Sequence, residues 1–409
     1  MKKGRDRTSI SSAERLQHDI LRYDAMGVHR LGAPGAEDAL DWIAAELEAA
    51  GLDVTTQEFS VDRQYDFDRG TLAVKSISIP VVPHWWPPED STTFERTALI
   101  VTDNRANDEF LLLELPYDQG AYLSAAQKDA ITRASACKPA AILLCIRHPS
   151  HEIFTYNVSQ DDPCWPQPVI LVPEKHISFL QTLAATETMV SVRIRGEWKH
   201  NLPARNIIAR TPSRGGKPIV ISTPVTSWFT STGERAPGIA CFLALARQAL
   251  SRWKGHDITF VATSGHEVGH GGMEHFIAHE APSPADTHAW VHLGASLACH
   301  FCASFDGDWR AHEAPEPQKR FFLGSDALAD VVARHLSPLG GTLVTGAPAA
   351  IGELRDVYKA GYQRFVGMVG LQQLFHTPAD RAFVTSGAIL APVLGAFEAM
   401  IDEIDSQVG

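Results

Sequence analysis

The sequence predicts an α/β fold with a mostly parallel central sheet and helices on both faces, interrupted by a small inserted β-rich domain. Three observations predict it. From residue 198 onward, apolar runs of strand character alternate with helical segments of about 10–15 residues, the signature of βα units stacked into a sheet covered on both sides. An opening of two helices and a strand, within residues 1–67, has the same character. Between 68 and 197 the pattern gives way to short β-rich runs separated by Pro, Asp and Asn, and the α/β pattern then resumes. A block flanked on both sides by one kind of pattern reads as an insertion. The division is therefore 1–67 with 198–409 as one α/β domain, and 68–197 as the insert.

The elements follow in order. Ala13 to Asp24 and Ala36 to Ala50 are helical; in the second, Leu40, Ile43, Ala44 and Leu47 recur at helical spacing and Gly51 stops the run. HRLGAPG (29–35) demands a turn between them, and LDVTTQEFSV alternates like a strand. The insert offers LAVKSISIPVV, TALIV, FLLLEL, AAILLCI, PVILV and VSVRIRG as strands, with one helix from Ala121 to Ala136. After it, ARNIIAR, KPIVISTP, DITFVATSG and AWVHLGASLA read as strands. APGIACFLALARQAL, with Pro237 near its first turn, GGMEHFIAHE and LGSDALADVVARHL read as helices. RFVGMVGLQQL and a last helix, about Ser386 to Ile404, complete the domain.

Composition narrows the function classes. The 409 residues are 44% hydrophobic and 21% charged, an ordinary globular mix, which excludes a disordered chain or a fibrous repeat. A formal charge of -12 opposes a dedicated nucleic-acid binder. Six cysteines are too few for a disulfide framework at this length and read as buried thiols. The start, MKKGRDRTSISSAERL, has no apolar run of the kind a signal peptide needs, and no stretch of about eighteen apolar residues occurs, so a cytoplasmic protein without a membrane span is expected.

Ligands of such sheets bind beyond the carboxyl ends of the strands. Those edges carry TPVTSW (223–228), SGHEVGH (264–270), HLG (292–294) and LFHTPAD (374–380), with STGERAPG (231–238) between the first edge and its helix. HEVGH (266–270) satisfies the zincin pattern H-E-x-x-H, which works only where a helix brings both imidazoles to one face. Gly265, Gly269, Gly271 and Gly272 crowd the segment directly after a strand, so a catalytic or metal-binding loop is favoured over that helix. Glu234 and Arg235 read either as a surface ion pair or as a working pair beside the TPVTSW edge. His292 reads as a core histidine. Cys299, His300 and Cys302 form a lone C-H-F-C without a second pair, which favours inert thiols over a zinc cage. Trp165, Trp228 and Trp290 are candidate pocket walls. A serine elbow, a P-loop and a dinucleotide fingerprint are all missing from the sequence.

These blocks, from HRLGAPGAEDALDWIAAELEAAGLDVTTQEF (29–59) through NIIAR, KPIVISTPVTSW, GERAPGIACFLALAR and SGHEVGHGGMEHF to FHTPAD, resemble the M28 metallopeptidase family, the zinc aminopeptidase and glutamate carboxypeptidase group. The insert resembles the protease-associated (PA-like) domain carried by many members. The resemblance implies a zinc-exopeptidase-like fold and a two-zinc site whose ligands map here with losses. The family's first His-x-Asp falls on Pro224 and Thr226, its bridging Asp on Glu234 with Arg235 beside it, its Glu–Glu pair on His266 and Glu267, the next Asp on Gly294 and the last His on His376. Pro224 and Gly294 supply no side-chain donor, so the resemblance implies one divalent metal, zinc suiting best, held by Glu234, Glu267 and His376. If the site is retired, it implies none.

The expectation that follows is a metal-dependent hydrolase cleaving an amide or related C–N bond of a small molecule or short peptide. His266 would be either base or ligand, Glu267, His270 and Arg235 would take part, and neither nucleic acid nor membrane would be a partner. A homo-oligomer is compatible with the sequence. A classical aminopeptidase and an inactive peptidase-like binding protein are the alternatives.

Overall fold

Two strands of unusual length organise the chain. Asp53–Val74 runs for 22 residues and pairs antiparallel with Val190–Arg210 along almost its whole length. The computed structural model describes residues 12–90, 92–103, 107–118, 120–305, 308–315 and 319–407. The basic N-terminal start through residue 11 lies outside them.

The long pair forms one side of a ten-stranded sheet. At the sheet's centre, Ile219–Pro224 lies between Ile258–Thr263 and Ala289–Leu293, and Phe365–Gly370 follows, all parallel. Val190–Arg210 joins Ile258–Thr263 antiparallel, and Arg320–Gly324 joins Phe365–Gly370 antiparallel. The mostly parallel arrangement expected from the sequence therefore holds for the centre, and the sheet as a whole is mixed.

Alternation along the central strands assigns the two faces. Ile207, Ile219, Ile221, Phe260 and Val291 pack into one core with the helices Ser12–Ala25, Pro34–Ala49, Thr232–Arg252, Ala329–His335 and Gly387–Ser406. Their neighbours Ile208, Val220, Val261 and Trp290 face the opposite way, onto Met273 and Phe276 of Gly271–His279 and onto Leu354 and Val357 of Leu354–Lys359. A period of two on a fully buried strand makes every position apolar, which is why these runs read as unbroken hydrophobic stretches.

The segment 68–197 divides between two sheets. Ile77–Pro80 and Thr93–Ala98 extend the large sheet by pairing with the long strands, which themselves run across both expected boundaries. The remainder is a five-stranded sheet in which Ile100–Val101, Phe110–Pro116, Ala141–Arg147 and Val169–Leu171 are parallel and Val82–Pro83 is antiparallel. It carries two helices, Ala125–Ser135 and Ile177–Ala185, so it is α/β in character and not simply β-rich. The first starts later than the sequence suggested because Ser124 and Gln127 close a capping box. Among the described residues, no helix is long and apolar enough to cross a membrane.

Candidate functional site

The carboxyl ends of the four central parallel strands open onto a cavity of about 480 Å³. Each edge contributes: Pro224 from the first, His266 and His270 from the second, His292 and Gly294 from the third, and Val369, Leu371 and Phe375 from the fourth. Ile351, Gly352 and Arg355 close another side, and Tyr122 and Asn157 reach in from the 68–197 segment. A larger cleft, about 820 Å³, lies in the smaller sheet along Ile100, Glu109, Glu114 and Gln181. It contains none of the residues the sequence singled out, so the chemistry is sought in the smaller cavity.

The segment after Ile258–Thr263 is neither an α-helix nor wholly irregular. His266–Val268 forms a single 3-10 turn bounded by Gly265 at φ 73° and Gly269 at φ 106°, and His270 follows at φ 63° before the next helix begins at Gly271. Gly265 and Gly269 adopt the left-handed conformation that glycine permits, and His270 adopts it without that freedom. The zincin arrangement does not form. The His266 and His270 rings instead stack with centroids 4.5 Å apart, and each imidazole is held by its own carboxylate. His266 Nδ1 lies 3.1 Å from Glu353 Oε1, and His270 Nδ1 lies 2.6 Å from Asp356 Oδ2. Thr263 Oγ1 donates to both Glu353 oxygens, and His270 Nε2 meets the Tyr122 hydroxyl at 3.3 Å. Burial, reinforced by the positive charge of Arg235 and by His270, pushes the His266 pKa well below its ordinary value. A neutral ring that donates from Nδ1 to Glu353 keeps its lone pair on Nε2.

Glu234 and Arg235 form a buried pair. They occupy the first turn of Thr232–Arg252, where Asp380 accepts hydrogen bonds from the backbone N–H groups of Gly233 (2.7 Å) and Glu234 (3.0 Å). Arg235 is 2% exposed; its Nε donates to the Thr226 carbonyl at 2.8 Å and its Nη2 lies 2.9 Å from Glu234 Oε1. That ion pair is close but poorly angled: neither Nη nor either Glu234 oxygen completes a hydrogen bond. Burial alone would raise the Glu234 pKa, but Arg235 and His376 outweigh it and hold the carboxyl down to about 2. His376 Nε2 stands 3.3 Å from the same Glu234 oxygen, with Nδ1 held 3.0 Å from the Thr155 carbonyl and the ring stacked on Phe375.

Glu267 turns elsewhere. Its Oε1 accepts from the Leu31 backbone N–H (3.2 Å) and its Oε2 from the Thr226 hydroxyl (2.7 Å). Burial raises its pKa. The three residues expected to share a metal are thus arranged as one pair, Glu234 with His376, and a third member bonded to other partners. Among the described residues, no group of three or more His, Cys, Asp or Glu side chains is arranged to hold a metal ion. The donor set does not fit the zinc ion that the resemblance implies: Arg235 occupies one carboxylate and the other is already satisfied.

Other candidates settle as structural parts. His292 is a buried histidine with Nδ1 2.9 Å from Ser222 Oγ, which also accepts from Trp290 Nε1, and burial lowers its pKa to about 4. Cys299 and Cys302 are both buried. They lie beyond the strand Ala289–Leu293, before and within His300–Phe305. Trp228 stacks on Trp85, and Trp165 bonds His84; neither lines the cavity. Sequence reasoning missed Glu353, Asp356 and Tyr122. The only signal was the pair of acids three positions apart in GELRD, which reads equally as a solvated helix start.

No protein-family model matches this sequence, and no curated protein matches it. Solved structures do match in fold. BSAP, a zinc aminopeptidase from Bacillus subtilis, superposes with a TM-score of 0.71 at 15% identity over 97% of this chain and 96% of its own. A peptidase M28 precursor from Shewanella amazonensis gives 0.68 at 14% over 97% and 96%. An aminopeptidase from Aneurinibacillus sp. strain AM-1 gives 0.62 at 16% over 95% and 93%. At such identities the likeness is one of architecture, and function has to be argued from the site.

Proposed function

We propose that this chain is a hydrolase for the amide or related C–N bond of a compact small molecule or short peptide, working at the cavity beside His266. The observation that carries the reading is the His266–Glu353 pair: a neutral, partly accessible imidazole (13% of its side chain exposed) with Nδ1 fixed by a buried carboxylate and its ring on the cavity wall. That is the arrangement of a general base whose tautomer is set from behind.

In this reading Nε2 of His266 takes a proton from water as the water oxygen bonds to the substrate carbonyl carbon. The carbonyl oxygen, gaining negative charge, is stabilised by the fixed positive charge of Arg235, which lies against the cavity wall. His266 then returns the proton to the leaving nitrogen as the C–N bond breaks. His270, held by Asp356 and touching Tyr122, stands beside His266 to contact the substrate or the leaving group. The apolar walls favour an uncharged body, and the cavity's size favours a small molecule or short peptide. The 68–197 segment is read as an inserted, PA-like unit that covers the site, with Tyr122 and Asn157 on the cavity wall as its support.

The one-zinc version of this chemistry, on Glu234, Glu267 and His376, requires Glu267 to leave Thr226 and Leu31 and Glu234 to leave Arg235, so the metal-free route is favoured. A binding protein on the same scaffold would keep the cavity without turnover. Screening the purified protein against amino-acid p-nitroanilides, N-acyl amino acids and short peptides decides between them. The reading expects turnover of at least one class, with a loss of about 10²- to 10⁴-fold in kcat for His266→Ala. Saturable binding without turnover in any class would establish the binding protein instead.

A further inference from the structure

A buried arginine with both terminal nitrogens unsatisfied, beside a buried glutamate with both oxygens unsatisfied, is an unusual expense in a protein interior. From this pair we infer that Arg235 is the resident cation of the site, occupying the electrostatic place of a metal ion and keeping divalent ions out. The inference deepens the reading above and takes from it only the role of Arg235 as the positive charge of the cavity.

Three features converge. Glu234 Oε1 faces Arg235 Nη2 at 2.9 Å and His376 Nε2 at 3.3 Å, so one carboxylate oxygen lies between a fixed cation and an imidazole that has a nitrogen to offer. With the guanidinium taken away, that carboxylate and imidazole would be the start of a metal site. Arg235 is anchored so that it cannot swing out: its Nε bonds the Thr226 carbonyl at 2.8 Å and its side chain is 1% exposed. Thr226, the residue that holds Arg235 through its carbonyl, also holds Glu267 through its hydroxyl. One residue therefore fixes the cation and withdraws the third carboxylate from the space around it.

A divalent ion brought to Glu234 would meet the guanidinium at contact distance in a dry environment, where like-charge repulsion is strong. Removing the guanidinium without replacing its charge leaves Glu234 buried and uncompensated, and a divalent cation is then the available partner. The prediction is a gain of function by deletion: Arg235→Asn acquires a zinc site that the wild type lacks.

The test is isothermal titration of zinc, with cobalt absorption as a second readout, into wild type, Arg235→Asn, Arg235→Gln and Arg235→Lys, each shown by circular dichroism to be folded. Every titration is repeated with Glu234→Gln in the same background to subtract zinc taken by surface histidines. Wild type and Arg235→Lys are expected to show no Glu234-dependent binding. At least one neutral variant should show a single such site, at least about 10-fold tighter than the weakest binding that the titration detects. His376→Ala should weaken that gained site. Glu234-dependent zinc binding by the wild type, or folded neutral variants that both gain nothing, would overturn the inference. Because no turnover is read, a protein that hydrolyses none of the compounds screened fails the functional reading and leaves this result standing.

Discussion

Thr226 Oγ1 donates to Glu267 Oε2 over 2.7 Å and itself accepts the backbone N–H of Gly265 at 2.8 Å. This threonine stands where the family resemblance places the aspartate of the first His-x-Asp block. Instead of offering a charge to the cavity, it ties two strand edges together and satisfies a buried acid. Thr226→Val keeps the shape and removes the hydroxyl, leaving Glu267 Oε2 and the Gly265 N–H without their partner. The expected cost is about 1–3 kcal/mol, read as a lower midpoint in urea, with Thr226→Ser close to wild type. Equal midpoints for Val and Ser would show that the bond carries nothing.

Glu353 bonds His266 and does not line the cavity, so in the proposed reading it is a positioning residue. Glu353→Gln can still hydrogen-bond Nδ1 but no longer favours the same tautomer or balances the imidazolium that forms in turnover. We expect kcat to fall by about 10- to 1000-fold with KM little changed. A rise in KM at constant kcat would instead make Glu353 part of the binding wall.

Gly294 occupies the position that the resemblance gives to an aspartate, and the fold resists restoring it. A Cβ there would sit 2.5 Å from Val369 Cγ1 and 2.9 Å from the Met368 carbonyl oxygen. Gly294→Asp is therefore expected to destabilise by about 1–3 kcal/mol or more, since the neighbouring strand must shift. A thermal melt of Gly294→Asp matching wild type would show that the strands have room to spare.

Asp24 fastens the first turn of Thr232–Arg252 to the 376–382 loop by accepting from Thr232 Oγ1 (2.6 Å), the Ala382 N–H (3.0 Å) and Arg381. Burial works to raise its pKa, but these donors prevail and hold the carboxyl below its ordinary value. A carboxyl lowered on folding contributes stability above its unfolded pKa of about 3.9, and loses it as pH falls through the folded value. Asp24→Asn should therefore be less stable than wild type at neutral pH, with the gap closing in acid below about pH 4. A gap constant from pH 7 down to pH 3 would remove charge from the explanation.

Much of the architecture was legible because buried parallel strands and amphipathic helices leave strong periodic signals. The central strands and the helices at 12–25, 34–49 and 387–406 fall within a few residues of where the sequence puts them. The long strands were not legible whole: VSVRIRG and ARNIIAR read as two elements because Lys199, His200, Asn201 and Pro203 between them lack strand character. Pairing along Asp53–Val74 carries the backbone through regardless. Around the candidate site, His266, His270, Glu234, Arg235 and His376 were expected from their places at strand edges. Glu353 and Asp356 were not, since acids near a helix start carry no mark of the histidines that they will meet. The direction in which Glu267 turns depends on Leu31 and Thr226, 236 and 41 residues away in sequence, and only folding decides that.

Hydrolysis with Arg235 as the cation of the site requires turnover by metal-stripped protein. The protein is dialysed against a strong chelator, its residual zinc, manganese, cobalt and iron are measured by mass spectrometry, and its rate on a substrate identified in the amide screen is compared before and after. An unchanged rate at negligible metal content is expected. Loss of activity on stripping, restored by stoichiometric zinc, would contradict it and return the chemistry to a metal ion at Glu234, Glu267 and His376.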